Sequence, residues 1–304
     1  MQATIRRQLE LPGLPSASGI EILGSTAYII GDDSPFLYCL DLQHLAITDR
    51  VTLFETADFG TGRLPKVLKP DLECLTALTT PAGETGLLMG GSGATPARET
   101  GYWVTFPVGS RVAAVRALNL SGLYAALRPH LPAGVGLNLE AVAASGTELL
   151  LFQRTVGAAS GNLVYRLPLA ATWAFVTSHS TAVPAVRAQH FELPTIEGRP
   201  AGFSGATIFQ NTLFITASVE DTLDAVADGA VLGSFVGVLE LTASGPDTPV
   251  VTLAQLVLPD GQPYRGKVES VAVQRTLGAG RWELVLVTDD DNGGSTAVIV
   301  ELTV

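Results

Sequence analysis

One short pattern restarts five times along the chain, and this limits the fold more than any other feature of the sequence. It reads Ser18-Gly-Ile-Glu-Ile, Glu73-Cys-Leu-Thr-Ala-Leu, Glu140-Ala-Val-Ala-Ala, Ser204-Gly-Ala-Thr-Ile and Glu269-Ser-Val-Ala-Val, with successive starts 55, 67, 64 and 65 positions apart. Each of the first four starts is followed by three more runs rich in Val, Ile, Leu, Phe or Tyr, separated mostly by Gly, Pro, Asn or Asp. The fifth unit holds only two more runs before the chain ends. Its missing strand is found at the other terminus. Residues 4–12, Thr-Ile-Arg-Arg-Gln-Leu-Glu-Leu-Pro, resemble the ends of the third and fourth units, His190-Phe-Glu-Leu-Pro and Leu256-Val-Leu-Pro.

Four-stranded units repeated around a ring define a β-propeller. The expectation is therefore an all-β fold: one domain over residues 1–304, a five-bladed β-propeller of four-stranded antiparallel blades, closed by the N-terminal strand at 4–12. A β-sandwich explains neither the fivefold restart nor the orphan first strand.

Charge and composition narrow the partners. A net charge of −11 argues against a nucleic-acid binder and against docking on anionic lipid. No apolar stretch is long enough to span a membrane, and the start lacks the apolar region of a signal peptide. Two cysteines, Cys39 and Cys74, imply no disulfide framework. The expectation is a cytoplasmic monomer.

In a propeller the first strand of each blade lines the channel, and its start shares one mouth with the exit from the second strand. Ser18, Glu73, Glu140, Ser204 and Glu269 thus gather around the axis. Near them come exits such as Gly31-Asp32-Asp33-Ser34, Gln153-Arg154, Ser218-Val219-Glu220-Asp221 and Asp289-Asp290-Asp291. Three carboxylates around a narrow axis cannot all stay ionised unpaired. Either a divalent cation or basic side chains must hold them. The all-oxygen donor set suits Ca²⁺, with Mg²⁺ as the alternative.

Basic residues fall on the same inferred face: Arg63, Lys66, Lys69, Arg98, Arg154, Arg199, Arg265 and Lys267, eight of the 18 Lys and Arg in the chain. They suit a small phosphate-containing or other anionic ligand, or else they neutralise the acidic loops. The connection from Ser218 to Gly233, with Glu220, Asp221, Asp224 and Asp228, reads as a lid or as a solvated acidic loop.

The order Ser18, Glu73, Glu140, Ser204, Glu269, with Asp32-Asp33 and Gly202-Phe203-Ser204, resembles the soluble calcium-activated nucleotidase (apyrase) family. The resemblance implies an axial Ca²⁺ on the five starts and a catalytic role for the acidic pair. Over most of its length the chain is more similar to an uncharacterised bacterial family of five-bladed propellers. That resemblance rests on Ile30-Gly31-Asp32-Asp33-Ser34-Pro35, Gly62-Arg63-Leu64-Pro65-Lys66, Gly202-Phe203-Ser204-Gly205-Ala206-Thr207 and Thr216-Ala217-Ser218-Val219-Glu220-Asp221-Thr222. It implies the fold and no activity.

The functional expectation is a metal-dependent hydrolase acting on a small phosphate-containing molecule. Asp32 or Asp33 would handle water, Arg154 would steady developing charge, and Arg63, Lys66, Arg199 and Lys267 would hold the substrate. The alternative is a non-catalytic binding module with a structural axial metal. An esterase or lactonase on the same metal is a third reading.

Overall fold

The computed structural model describes residues 1–107, 112–155, 162–222, 229–240 and 250–304. Asp224 and Asp228 of the acidic connection lie outside them. The strands are β1 (Gln2–Glu10), β2 (Ala17–Leu23), β3 (Thr26–Gly31), β4 (Phe36–Asp41), β5 (Ala46–Thr52), β6 (Leu72–Thr79), β7 (Thr85–Gly91), β8 (Thr100–Thr105), β9 (Ala114–Asn119), β10 (Leu139–Ala144) and β11 (Glu148–Gln153). They continue with β12 (Leu163–Pro168), β13 (Arg187–His190), β14 (Thr195–Ile196), β15 (Arg199–Pro200), β16 (Gly202–Phe209), β17 (Thr212–Glu220), β18 (Val231–Glu240), β19 (Val250–Val257), β20 (Lys267–Gly278), β21 (Arg281–Asp289) and β22 (Ser295–Thr303).

The molecule is all-β and propeller-like. Three separate antiparallel sheets have the orders β2-β3-β4-β5, β6-β7-β8-β9 and β10-β11-β12-β13. The remaining long strands form one sheet of order β16-β17-β18-β19-β1-β22-β21-β20. Within it β1 runs antiparallel along β22, from Gln2 opposite Thr303 to Glu10 opposite Thr296, and meets β19 in parallel only at Ala3–Leu256 and Thr4–Val257.

Burial falls from the first strand of each sheet to the fourth. Strands β2 and β16 are almost wholly buried, whereas β5, β9 and β13 alternate or lie open to solvent. That gradient explains the sequence. Inner strands carry small and apolar residues on both faces, and outer strands such as Ala46-Ile-Thr-Asp-Arg-Val-Thr tolerate charge. The first strands pack in a cycle: β2 on β6, β6 on β10, β10 on β16, β16 on β20, and β20 on β2.

Two short helices, α1 (Ser121–Leu127) and α2 (Leu169–Val176), correct the purely β reading of the connections. Leu123, Tyr124, Leu127, Leu169 and Val176 from these helices complete the core between the second and third sheets. Trp173 lies on α2, edge-on to Trp103 at 4.8 Å. Among the described residues no helix is long and apolar enough to cross a membrane.

The first strand of the chain is held by its apolar side. Ala3 and Ile5 are buried in a core with Leu256, Leu286, Val298 and Val300. Replacing Ile5 with alanine is expected to cost about 2–5 kcal/mol, as for other buried large-to-small changes. Urea unfolding measures it. A loss under about 0.5 kcal/mol, typical of a surface site, would show that the strand adds nothing to the core.

Candidate functional site

A single backbone irregularity marks the leading strand of each of the five sequence repeats. The antiparallel register of each first strand skips one residue between Ala17 and Gly19, Leu72 and Cys74, Leu139 and Ala141, Phe203 and Gly205, and Val268 and Ser270. The skipped residues are Ser18, Glu73, Glu140, Ser204 and Glu269. A β-bulge re-aims a side chain and loosens the ladder locally. The polar lead of each repeat is therefore the bulged position, and the apolar residues after it resume regular pairing.

The residues two positions before these bulges form a second set: Ser16, Asp71, Asn138, Gly202 and Lys267. Main-chain bonds tie three of them to the second-strand exits, with Asp32 N donating to Ser16 O at 3.1 Å, Ser92 N to Asp71 O at 2.9 Å and Arg154 N to Asn138 O at 2.9 Å. Close approach demands glycine at two points. A Cβ on Gly31 would meet Pro15 O at 2.2 Å, and one on Gly202 would meet Arg154 Cγ at 2.7 Å. Gly202 thus leaves the room through which the Arg154 side chain passes.

These elements enclose a cavity of about 500 Å³, lined by Ser18, Asp32, Lys66, Lys69, Asp71, Glu73, Arg98, Glu140, Arg154, Glu220, Lys267, Glu269 and Asp289 among others. Most of its charges are paired. Arg63 Nε donates to Asp33 Oδ2 at 2.5 Å, and Ser16 Oγ to the same oxygen at 3.4 Å. Lys69 Nζ bonds Asp32 and reaches Asp71 Oδ1 at 3.0 Å. Arg98 and Ser92 Oγ both donate to Asp71 Oδ2, at 2.7 and 2.5 Å. Arg154 bonds Glu220 and stands 3.5 Å from Glu140, which accepts from Asn138 Nδ2 at 2.5 Å. Lys267 Nζ donates to Asp291 Oδ1 at 2.8 Å and lies 3.3 Å from Glu269 and 3.5 Å from Glu220.

The five bulged residues do not share one environment. Ser18 Oγ donates to Leu72 O at 2.5 Å, tying the first sheet to the second, and Ser204 Oγ donates to Thr216 Oγ1 at 3.1 Å. Glu140 and Glu269 have Arg154 and Lys267 beside them. Glu73 has no hydrogen bond or ion pair among the described residues. A different trio, Asp32, Asp71 and Glu73, offers carboxylate oxygens all within 4.8 Å of one another.

The surplus of carboxylates shows in their proton affinity. Burial, with Glu140, Asp71, Asp32 and Glu269 around it, holds the Glu73 carboxyl well above its ordinary value. Burial raises Glu269 to about 8 despite Lys267 and Arg154, and Asp289 to about 7 with Asp32 adding to the rise. Asp32 is pushed to about 6 by burial, against the pull of Lys69. Burial likewise raises Glu140, although Arg154 and Lys267 oppose it. Burial disfavours the Lys267 and Arg154 cations, yet the carboxylates beside them make both hold their protons more tightly than usual.

The other sequence-derived residues are more dispersed. Lys66 is exposed at the cavity rim and has no ion pair among the described residues. Arg199 Nε donates to Asp221 Oδ1 at 2.8 Å on the surface, outside the cavity lining. Gly90 and Gly91 end β7, and the connection that follows them is held by its own chain, with Gly93 N donating to Arg98 O at 3.0 Å. Asp290 Oδ1 accepts from Asn292 N and Gly294 N, so that acidic run is turn chemistry. Asp71, Asn138 and Ser16 were not singled out from sequence. Their constant offset from the bulges could have found them.

Sheets and cavity define a propeller-like protein with a polyionic pocket at the bulged ends of its inner strands. The chain belongs to DUF6929, a family of unknown function whose model matches residues 13–304. No curated protein matches it. Solved structures to which it is similar include Myxococcus xanthus glutaminyl cyclase, with 10% identity, TM-score 0.48, and 99% of this chain and 97% of that one covered. The pyranose dehydrogenase PQQ domain from Coprinopsis cinerea is 10% identical, with TM-score 0.44 and coverage of 98% and 97%. The Cps50 (Swd1) β-propeller domain of Myceliophteria thermophila is 7% identical, with TM-score 0.40 and coverage of 96% and 99%.

Proposed function

We propose that the chain is a monomeric, cytoplasmic five-bladed propeller whose last blade is completed by Gln2–Glu10, and that its mouth cavity binds a small anionic molecule together with a divalent cation. The cyclic packing of the five first strands and the long β1–β22 ladder support the ring. The observation that carries the ligand reading is the imbalance of charge. Seven carboxylates line the cavity against five Lys and Arg, and Glu73 has no hydrogen bond or ion pair among the described residues.

The donor set fits a hard cation, Ca²⁺ or Mg²⁺. The full ring of five bulged residues fits it poorly, because both serine hydroxyls are engaged elsewhere and Arg154 and Lys267 already stand beside two of the three glutamates. Glu73, Asp71 and Asp32 are the better ligands. Lys69 is the resident cation there and must yield to the metal. When bound, the ion would polarise an anionic ligand. Arg154, fixed by Glu140 and Glu220, and Lys66 at the rim supply further positive charge.

Hydrolysis is the second reading, and the Asp32 carboxyl favours it. In that reading Asp32, raised to about 6 by burial, exchanges a proton close to neutrality as a general base and leaves the ion to Asp71 and Glu73. Asp33 is locked by Arg63 and Ser16 and holds the exit loop in place.

Calcium at about a hundred times its dissociation constant is expected to stabilise the protein by about 2.7 kcal/mol. Glu73→Gln should remove most of that gain. Thermal unfolding with and without Ca²⁺, Mg²⁺ and EDTA checks it, and identical curves in all conditions would end the metal reading. Phosphate release from nucleotides and sugar phosphates, abolished by EDTA, separates hydrolysis from binding alone.

A further inference from the structure

A niche opens off the main cavity between Arg154, Thr155, Gly202, Ser218 and Glu220, with a volume of about 10 Å³. Four buried polar atoms of these residues have no hydrogen-bond partner among the described residues: Arg154 Nε, Thr155 Oγ1, Ser218 Oγ and Glu220 Oε1. Their residues are almost fully buried, with Ser218 at 1% and Arg154 at 7% exposure. Glu220 Oε1 has Lys267 Nζ as an ion-pair partner at 3.5 Å and takes no hydrogen bond among the described residues, so it can still accept one. Buried polar groups are nearly always satisfied, so four such atoms on residues lining one recess suit a polar group that can reach them.

We propose that this niche takes a hydroxyl group of the bound ligand, which makes the ligand a hydroxyl-bearing molecule of the polyol or sugar type. The inference rests on reading the cavity as a ligand site and specifies what that ligand carries. The atoms decide the chemistry. Arg154 Nε–H only donates, Glu220 Oε1 only accepts, and the Thr155 and Ser218 hydroxyls do either. The occupant must therefore donate and accept at a single centre. An anionic oxygen would face Glu220 without a proton to share, and an ammonium would face Arg154. A volume near that of one water admits an oxygen with its hydrogen and is too small for a whole amide. The niche shares Arg154, Thr155 and Glu220 with the main cavity, so a ligand lying there can extend one hydroxyl into it.

Glycerol 3-phosphate and n-propyl phosphate carry the same charge and differ in their hydroxyls, which makes them suitable probes, with neutral myo-inositol as a third. Titrations on the full chain, in the presence of Ca²⁺, are expected to show glycerol 3-phosphate binding about tenfold or more tightly than propyl phosphate. Thr155→Val and Ser218→Ala should each shrink that ratio. Should either variant fail to fold, the wild-type ratio alone decides. Equal affinities for the two phosphates would overturn the hydroxyl niche and leave the anion reading standing. Binding of myo-inositol but of neither phosphate would sustain the niche and sink the anion reading. No binding of any probe would overturn both.

Discussion

Replacing Arg154 with methionine is expected to destabilise the protein by about 3–5 kcal/mol, among the largest effects of any single substitution in this chain. Arg154 is the cation between the third and fourth sheets. It leaves the end of β11, passes over Gly202 at the start of β16, and bonds Glu220 at the end of β17 while standing 3.5 Å from Glu140. A methionine keeps much of the volume and removes the charge. Among the described residues Glu140 then keeps only Asn138 Nδ2 and Glu220 only Lys267 at 3.5 Å, and carboxylates so poorly compensated must take up protons or stay charged at high cost. The second half of the prediction separates charge from packing. Adding Glu220→Gln to Arg154→Met should recover a substantial part of the loss, because the uncompensated charge is gone. Chemical unfolding of the two single variants and the double variant gives the coupling. A double variant that simply adds the two losses would mean that Arg154 acts through packing and not through its pairs.

This partnership was not legible in the sequence, whereas the positions it links were. Glu140 stood out because it begins a repeat, and Arg154 and Glu220 because they sit at second-strand exits. Nothing in the chain connects positions 154 and 220, which come together only when two neighbouring sheets place equivalent exits side by side. The recurrent Ser or Glu was visible for a physical reason: a bulge takes one residue out of the alternation, and a polar residue is tolerated there. What that residue does next depends on its neighbours. Ser18 satisfies a main-chain carbonyl of the adjacent sheet, Glu269 meets Lys267, and Glu73 meets neither. A composition rule sees three glutamates and two hydroxyls and groups them. Of the cations that divide them, Lys267 lies two positions before a bulge and Arg154 at a second-strand exit, and a search for repeated starts passes over both.

The two helices escaped for a different reason. Ser121-Gly-Leu-Tyr-Ala-Ala-Leu and Leu169-Ala-Ala-Thr-Trp-Ala-Phe-Val are short apolar runs, and at that length periodicity does not separate a buried strand from a buried helix. Their alanines favour the helix. Both runs sit where the neighbouring β-strand has ended, and both cover apolar surface that the second and third sheets leave open at their edges. Tertiary burial decided their conformation, and they stay clear of the cavity.

Stability is expected to fall as pH rises from about 5 to 8.5, opposite to the trend of a protein held by ordinary salt-bridged carboxylates. Glu269 at about 8, Asp289 at about 7, Asp32 at about 6 and Glu73 well above its ordinary value all keep protons in the folded chain that the unfolded chain has released. The stabilisation from these groups is complete below their unfolded values near 4 and is lost as pH climbs through their folded values. For Glu269 alone, a rise from 4.5 to about 8 corresponds to on the order of 5 kcal/mol. Lys69, Lys267 and Arg154 do not cancel it, because their raised values lie far above this window. Glu269→Gln should flatten the curve by keeping the site neutral at every pH. A divalent cation should flatten it as well, by replacing the protons with a charge that does not titrate. Melting temperatures across the range, with Ca²⁺ and with EDTA, test both. A flat profile in EDTA would mean that these carboxylates are ionised and fully compensated by Lys and Arg. The cavity would then have no surplus negative charge to offer a metal.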